Sequence, residues 1–181
     1  LKIARQIVVR LRRSIRSQRA PRREMNIAVV PAGDKAPISE FVAELVRGLE
    51  SIGSTLVLDS KFVEHHLAPG LADAPAQGPQ NDQLMAWLNQ EESKHQFIVY
   101  CADPSTTNWT RRCLRATDRV LTVGHSGGDP APNRIEAEFL KSGSNKIFAQ
   151  AELVLVHEND GTRPSGTRQW TSERDVSGCH H

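Results

Sequence analysis

No apolar run in this chain is longer than six residues, too short for a helix that would cross a membrane. The basic opening residues are not followed by an uninterrupted apolar core, so a secretory leader is not expected either. Cysteine is scarce. Cys101, Cys113 and Cys179 are an odd number, widely separated and without any C-x-x-C pair. That excludes a disulfide framework or a zinc finger and points to a reducing, cytoplasmic setting. Cys101 closes an apolar run and reads as a small buried hydrophobe rather than a reactive thiol. Acidic residues are absent from the first 23 positions, which carry nine basic side chains. The remaining residues hold fourteen basic against twenty-one acidic side chains, a net of −7. A basic arm is thus joined to an acidic body, and the body is not expected to bind nucleic acid.

What is present suits one ordinary domain. Of 181 residues, 38% are hydrophobic and 24% charged, enough to close a single core and too few for two large ones. The arm "LKIARQIVVRLRRSI" spaces Ile3, Ile7, Leu11 and Ile15 four apart, with arginines on the opposite helical face. Three roles fit it: a helix of an upstream domain or its linker, a membrane-surface helix, or a nucleic-acid tail. It opens without a capping residue and is expected to continue from a longer chain. "SQRAPRRE" then reads as a linker in which Pro21 stops the helix.

From Asn26 onward the pattern alternates. "NIAVVP", "TLVLDS", "QFIVYCA", "DRVLTVG" and "AELVLVHE" are short, nearly continuous apolar runs, as strands buried on both faces require. Between them "APISEFVAELVRGLESIG" is an amphipathic helix, with Pro37 at its start and Gly53 at its stop. "SKFVEHHL", "NDQLMAWLNQEESK", "TNWTRRCLRAT" and "NRIEAEFLKSG" are further helices, the second with Leu84, Trp87 and Leu88 inward. Residues 68–80, rich in Pro, Gly and Ala, read as a long mobile loop. Strand–helix alternation of this kind predicts α/β architecture, an open three-layer Rossmann-like domain on a mainly parallel five-stranded sheet. The expected divisions are a basic helix and linker at 1–24, the α/β domain at 25–160 and a polar tail at 161–181.

Ligands in such folds sit at the carboxyl ends of the strands, which here carry "PAGDKAP", "ADPSTTNW" and "GHSGGDPAP". The last contains G-x-S-x-G, the pattern of a hydrolase nucleophile elbow. An elbow needs the helix to begin at the serine, so that its amides face the oxyanion. Ser126 is instead followed by two glycines and two prolines, which delay any helix to about Pro132 or Asn133. A triad in the right order can be drawn with Asp160 or Asp175 and then His180 or His181. A chain with seven histidines offers such a set readily, and the expected catalytic residues are none, with Ser126 as the alternative.

"VVPAGDKAPIS" sits where a phosphate-binding loop would. Only Gly33 and Lys35 are of the right type, and Pro37 removes an amide where several are needed. Asp103, at the end of "VYCADP", would be the metal-organising aspartate. Gly33, Lys35 and Asp103 are therefore the alternative cofactor site, with no cofactor expected. The neighbours His65 and His66 project about 100° apart on a helix and cannot readily share an ion. Cys179, His180 and His181 lie at the end of the sequence, where residues of a purification tag are one explanation. No metal site is expected. Trp109 is read as covering a core or an interdomain contact.

The pieces "WLNQEE", "YCAD" followed by "WTRRCLRATDRVLTVG", and "VLVHENDGTRP", in this order, resemble the region before the catalytic domain of the neuropathy target esterase family. Those are patatin-like phospholipases that also carry cyclic-nucleotide-binding domains. The resemblance spans roughly residues 26–160. It implies that residues 1–20 end a preceding cyclic-nucleotide-binding domain and that a patatin domain follows. It also implies that the lysophospholipase nucleophile lies in that later domain, so no catalytic residue carries over to this chain. The α/β part is further similar to partition-type ATPases of the Min/Par kind, with a decayed phosphate loop. What the resemblance implies is a non-catalytic scaffold or regulatory domain of a lipid ester hydrolase, making intramolecular contacts with both neighbours. Residues 1–23 are the expected contact with a membrane surface. A serine hydrolase using Ser126, or a module for a nucleotide or another anion, are the alternatives.

Overall fold

The computed structural model describes residues 4, 6–10, 25–140, 150–157 and 166–181. Strands β1 (Met25–Ala32), β2 (Thr55–Leu58), β3 (Phe97–Cys101), β4 (Arg119–His125), β5 (Gln150–Val156) and β6 (Gly178–His180) form one sheet in the order β2-β3-β1-β4-β5-β6. Every pairing is parallel. The helices are α1 (Ile38–Glu50), α2 (Ser60–His66), α3 (Pro79–Lys94), α4 (Asn108–Arg115) and the short α5 (Thr167–Thr171), with a π-helical turn at Glu136–Leu140.

Continuous apolar strands are needed because both sheet faces are covered. Ile27 and Val29 of β1 pack with Phe41, Leu45 and Leu49 of α1, while the intervening Ala28 and Val30 meet Leu114, Ile135 and Phe139 on the other side. The same alternation splits Phe97 and Val99 from Ile98 and Tyr100 in β3. α1 follows Pro37 directly, and Gly53 closes it by donating to the Leu49 carbonyl at 3.0 Å. A side chain at Gly53 would collide with Gln96 and Phe97, so the stop is also a point of close packing.

The sheet differs from the expected one at its far edge. It has six strands rather than five, because residues 178–180 of the polar tail pair with β5. Trp170, in the same tail, is buried beside Leu153 and Leu155. One tryptophan and a three-residue strand in a polar context leave no periodic signal, although they secure the segment.

Residues 68–80 also differ. Leu71, Ala72 and Ala74 are buried rather than exposed on a mobile loop. The Arg112 guanidinium donates to the carbonyls of Ala72 and Ala74 and to Asn81 Oδ1, and Asp73 accepts from the Asn108 amide at 2.6 Å. Alanine fills narrow space, so its small size marks tight packing here and not exposure. α3 begins at Pro79, two residues earlier than its apolar pattern, with Gly78 at φ +105° in front of it. Trp87 is half-buried against the core, Leu84 and Leu88 fully.

At the other end of the chain, residues 6–10 are helical, and Ala4, Ile7 and Val8 are buried in the same cluster as α1. The expected stripe is therefore turned toward this domain at Ile7. Ile3, Leu11 and Ile15 lie outside the described residues, as does the linker around Pro21. Val8 lies on Gly48, where a Cβ would approach its Cγ2 to 2.6 Å.

Candidate functional site: the carboxyl edge of the sheet

Strands β3, β1 and β4 are neighbours, so their carboxyl ends bring the three candidate loops side by side. Gly33 has φ +88° and starts a tight turn, with Ala36 N donating to the Gly33 carbonyl at 3.4 Å. The Ile38 amide is turned back onto the Ala36 carbonyl at 2.8 Å, and Pro37 has none to offer. A phosphate cradle needs several amides pointing at one centre, and here two of the loop's amides, those of Ala36 and Ile38, are spent on carbonyls of the same turn. Lys35 is exposed.

Asp103 stands at the end of β3, as expected for that aspartate. Its carboxylate accepts from Ser60 Oγ at 2.7 Å and Thr107 Oγ1 at 2.8 Å, tying α2 and the cap of α4 to the sheet. Thr107 in turn accepts from the Thr110 amide as the N-cap of α4. Trp109 is fully buried and donates from Nε1 to the Cys101 carbonyl at 2.9 Å. Burial pushes the Cys101 thiol up to about 12, which keeps it protonated and unreactive at neutral pH.

The third loop is a turn, not an elbow. Ser126 N donates to the Val156 carbonyl at 2.9 Å and Gly128 N to the His125 carbonyl at 2.8 Å. His125 Nδ1 accepts from the Gly127 amide at 3.2 Å. Helical bonding begins seven residues beyond Ser126, where Ala137 N reaches the Asn133 carbonyl at 2.9 Å. Asn133 and Glu136 form a reciprocal capping pair, each side chain accepting from the other's amide. Asn133 Nδ2 also donates to the Pro31 carbonyl at 2.6 Å, pinning the third loop to the first.

The glycines of the motif serve packing. A Cβ on Gly124 would lie 2.8 Å from two ring atoms of Trp170. Arg174, beneath the same loop, spans Glu136 through Nε at 2.6 Å and Nη2 at 3.0 Å. Its Nη1 donates to the carbonyls of Pro130 and Trp170, and its plane lies 4.8 Å over the Trp170 ring. This ion pair is almost fully buried. Trp170 and Arg174 escape a motif-based reading; the N-x-x-E cap at 133–136 is the one sequence signal in this network.

The triad partners are committed elsewhere. His180 is buried with its Nε2 2.6 Å from Glu152 Oε2, and Arg119 reaches the other Glu152 oxygen at 2.5 Å. The His180 hydrogen bond, helped by Arg119, holds the Glu152 carboxyl below its usual range despite burial. His181 lies between Thr167 Oγ1 at 2.7 Å and His157 Nε2 at 3.0 Å, and burial lowers its pKa. Cys179 Sγ is 3.6 Å from His181 Nε2, the nitrogen turned away from His157, and burial raises its thiol pKa. Asp160 lies outside the described residues, and Asp175 is exposed. His65 and His66 meet edge-on on α2, His66 stacked on Phe62. Among the described residues no helix is long and apolar enough to cross a membrane.

Comparison with known proteins places these observations. The model of the Neuropathy Target Esterase family P-loop like domain matches residues 25–181. Mouse patatin-like phospholipase domain-containing protein 7 is 34% identical over 154 residues, 85% of this chain and 11% of that protein. The human patatin-like phospholipase domain-containing protein 6 is 32% identical over the same share of the chain. Neuropathy target esterase sws of Drosophila ananassae is 31% identical over 156 residues, 86% of this chain and 10% of that protein. The chain thus spans about a tenth of the length of these relatives. No solved structure matches it.

Proposed function

The chain belongs to the neuropathy target esterase P-loop-like domain family, and we propose that it is a non-catalytic coupling domain within a longer patatin-like phospholipase. In that reading the longer protein hydrolyses lipid esters, lysophospholipids among them, with a nucleophile outside residues 1–181. Cyclic-nucleotide-binding modules precede this domain and the patatin domain follows it, so that it holds the sensing and hydrolysing parts in a fixed relation. The protein works on the cytoplasmic side, with the nine basic residues of positions 1–23 drawn to an anionic membrane surface. Burial of Ile7 and Val8 against α1 leaves charge, rather than the apolar stripe, to make that contact.

What carries the proposal is the seat of Trp170 on Gly124 with Arg174 bonded to the Pro130 carbonyl. The one loop with a catalytic signature is thereby the anchorage of the C-terminal segment. Ser126 lacks a helix N-terminus behind it, and the histidines available to a triad have other partners. A fluorophosphonate probe with an esterase assay on this chain tests the proposal. The expected outcome is no labelling and no hydrolysis. Labelling and turnover that both vanish in Ser126→Ala would overturn it in favour of a serine hydrolase.

A further inference from the structure

The family model matches from residue 25 onward, yet residues ahead of that boundary are built into the core. Ala4, Ile7 and Val8 are buried in one cluster with Phe41, Leu45 and Leu49 of α1, while Gln6, Val9 and Arg10 are exposed. The arm helix thus docks by a single apolar stripe. Its seat on α1 is Gly48. Alanine would favour the helix more at that position, but the three atoms nearest to a Cβ there all belong to Val8, the closest at 2.6 Å. The missing side chain is the notch that Val8 fills.

This contact leaves much of the arm's chemistry unspent. In sequence the stripe runs on through Ile3, Leu11 and Ile15, and the nine basic side chains of positions 1–23 have no acidic neighbour in that stretch. Val9 is 44% exposed. Arg10 is exposed and forms no ion pair among the described residues. A helix with one apolar face and a basic opposite face suits the interface of an anionic bilayer, apolar face down. A nucleic acid would take the charge and leave the stripe without a partner.

We infer that the Gly48 notch and an anionic lipid surface compete for the same stripe of the arm. Docked on α1, Ile7 and Val8 are withheld and the arm meets the surface through charge alone. Transferred to the bilayer, they enter the acyl boundary and the notch is left open. Apparent lipid affinity is then reduced by the fraction of arms that are docked. The inference rests on the membrane contact proposed above and adds its regulation.

The double variant Val8→Cys/Gly48→Cys tests this on the whole chain. A Cβ at position 48 lies 3.3 Å from that of Val8, close to the separation that a disulfide spans. Sedimentation with phosphatidylcholine vesicles, with and without phosphatidylserine, is read at low and high salt. The oxidised variant is expected to bind only the phosphatidylserine vesicles and to be released by salt, as charge alone requires. Reduced, it is expected to bind about tenfold more tightly and to keep part of its binding at high salt. Ile7→Ser added to the reduced form is expected to return binding to the oxidised level. Amide protection in β1 and β4 reports that the body stays folded. Gly48→Ala alone, a milder intrusion on Val8, is expected to raise binding severalfold. The inference is overturned if the 8–48 disulfide does not form, if oxidised and reduced forms bind alike, or if Gly48→Ala binds as the parent does. Binding of parent and Gly48→Ala with equal, salt-sensitive affinity would leave the charge contact standing, whereas no binding by any form overturns the membrane contact as well. Heparin, a polyanion without acyl chains, is expected to bind both redox forms equally; a preference for the reduced form as large as that of the vesicles would also overturn the inference.

Discussion

Gly124 decides how the G-x-S-x-G pattern is to be understood. In an elbow the flanking glycines admit a sharp strand-to-helix turn; here the first one admits the ring of Trp170. Gly124→Ala puts a methyl 2.8 Å from that ring, and the ring must move or tilt. Overpacking of this kind costs about 1–3 kcal/mol. Gly127→Ala is the internal control, since its methyl meets only the His125 ring at 3.4 Å and is expected within about 0.5 kcal/mol of the parent. Urea unfolding of the two variants checks the difference. Equal stabilities would mean that Trp170 is not seated as described. Arg174 makes a related point, because its charge is spent on Glu136 and on backbone carbonyls rather than on any ligand.

Among the elements, β6 is the one most dependent on side-chain chemistry. Three residues give it few ladder bonds, and its place is fixed by the buried contact between His180 and Glu152, with Arg119 of β4 on the opposite oxygen. The Glu152 carboxyl is depressed in the folded protein by His180 first and Arg119 after it. A depressed carboxyl contributes stability that is present above its unfolded value, near 4.3, and is lost as pH falls through its folded value. β6 is therefore expected to release in acid ahead of β1 and β4. Amide exchange at residues 178–180, measured from pH 6 downward, checks this. Glu152→Gln removes the acid dependence and leaves β6 less protected throughout; uniform exchange across the sheet would contradict the account. The sequence carries five of the six strands because each is a continuous apolar run, buried almost throughout in the central β1, β3 and β4. β6 has no such run, and its stabilisation comes from residues 26 and 28 positions distant. The loop at 68–80 was obscured for a different reason, since its anchors, Arg112 and Asn108, sit on another helix. In the candidate site the positions of Gly33, Lys35, Asp103 and Ser126 on one edge were legible from strand order. Their partners Ser60, Thr107 and Trp170 were not, because hydrogen bonds and ring contacts between distant segments leave no periodic trace.

Taken as a whole, the molecule is a P-loop-like fold in which every candidate loop is occupied with holding structure. Gly33 starts a self-bonded turn, Asp103 joins α2 and α4 to the sheet, and residues 124–132 seat Trp170 and Arg174. Residues 4, 7 and 8 are built into the core at one end and Trp170 and His180 at the other, as a part that fixes the relation of its neighbours would require. On this account the loop after β1, with no amide at Pro37 and the Ala36 and Ile38 amides bonded within the turn, does not hold a nucleotide phosphate. Thermal unfolding of the chain with and without Mg-ATP and Mg-GTP tests this most directly. A nucleotide present at a hundredfold its dissociation constant would stabilise the fold by about 2.7 kcal/mol, a rise of several degrees. The account predicts a midpoint unchanged within about 1 °C at millimolar nucleotide; a rise of several degrees that disappears in Lys35→Ala would contradict it.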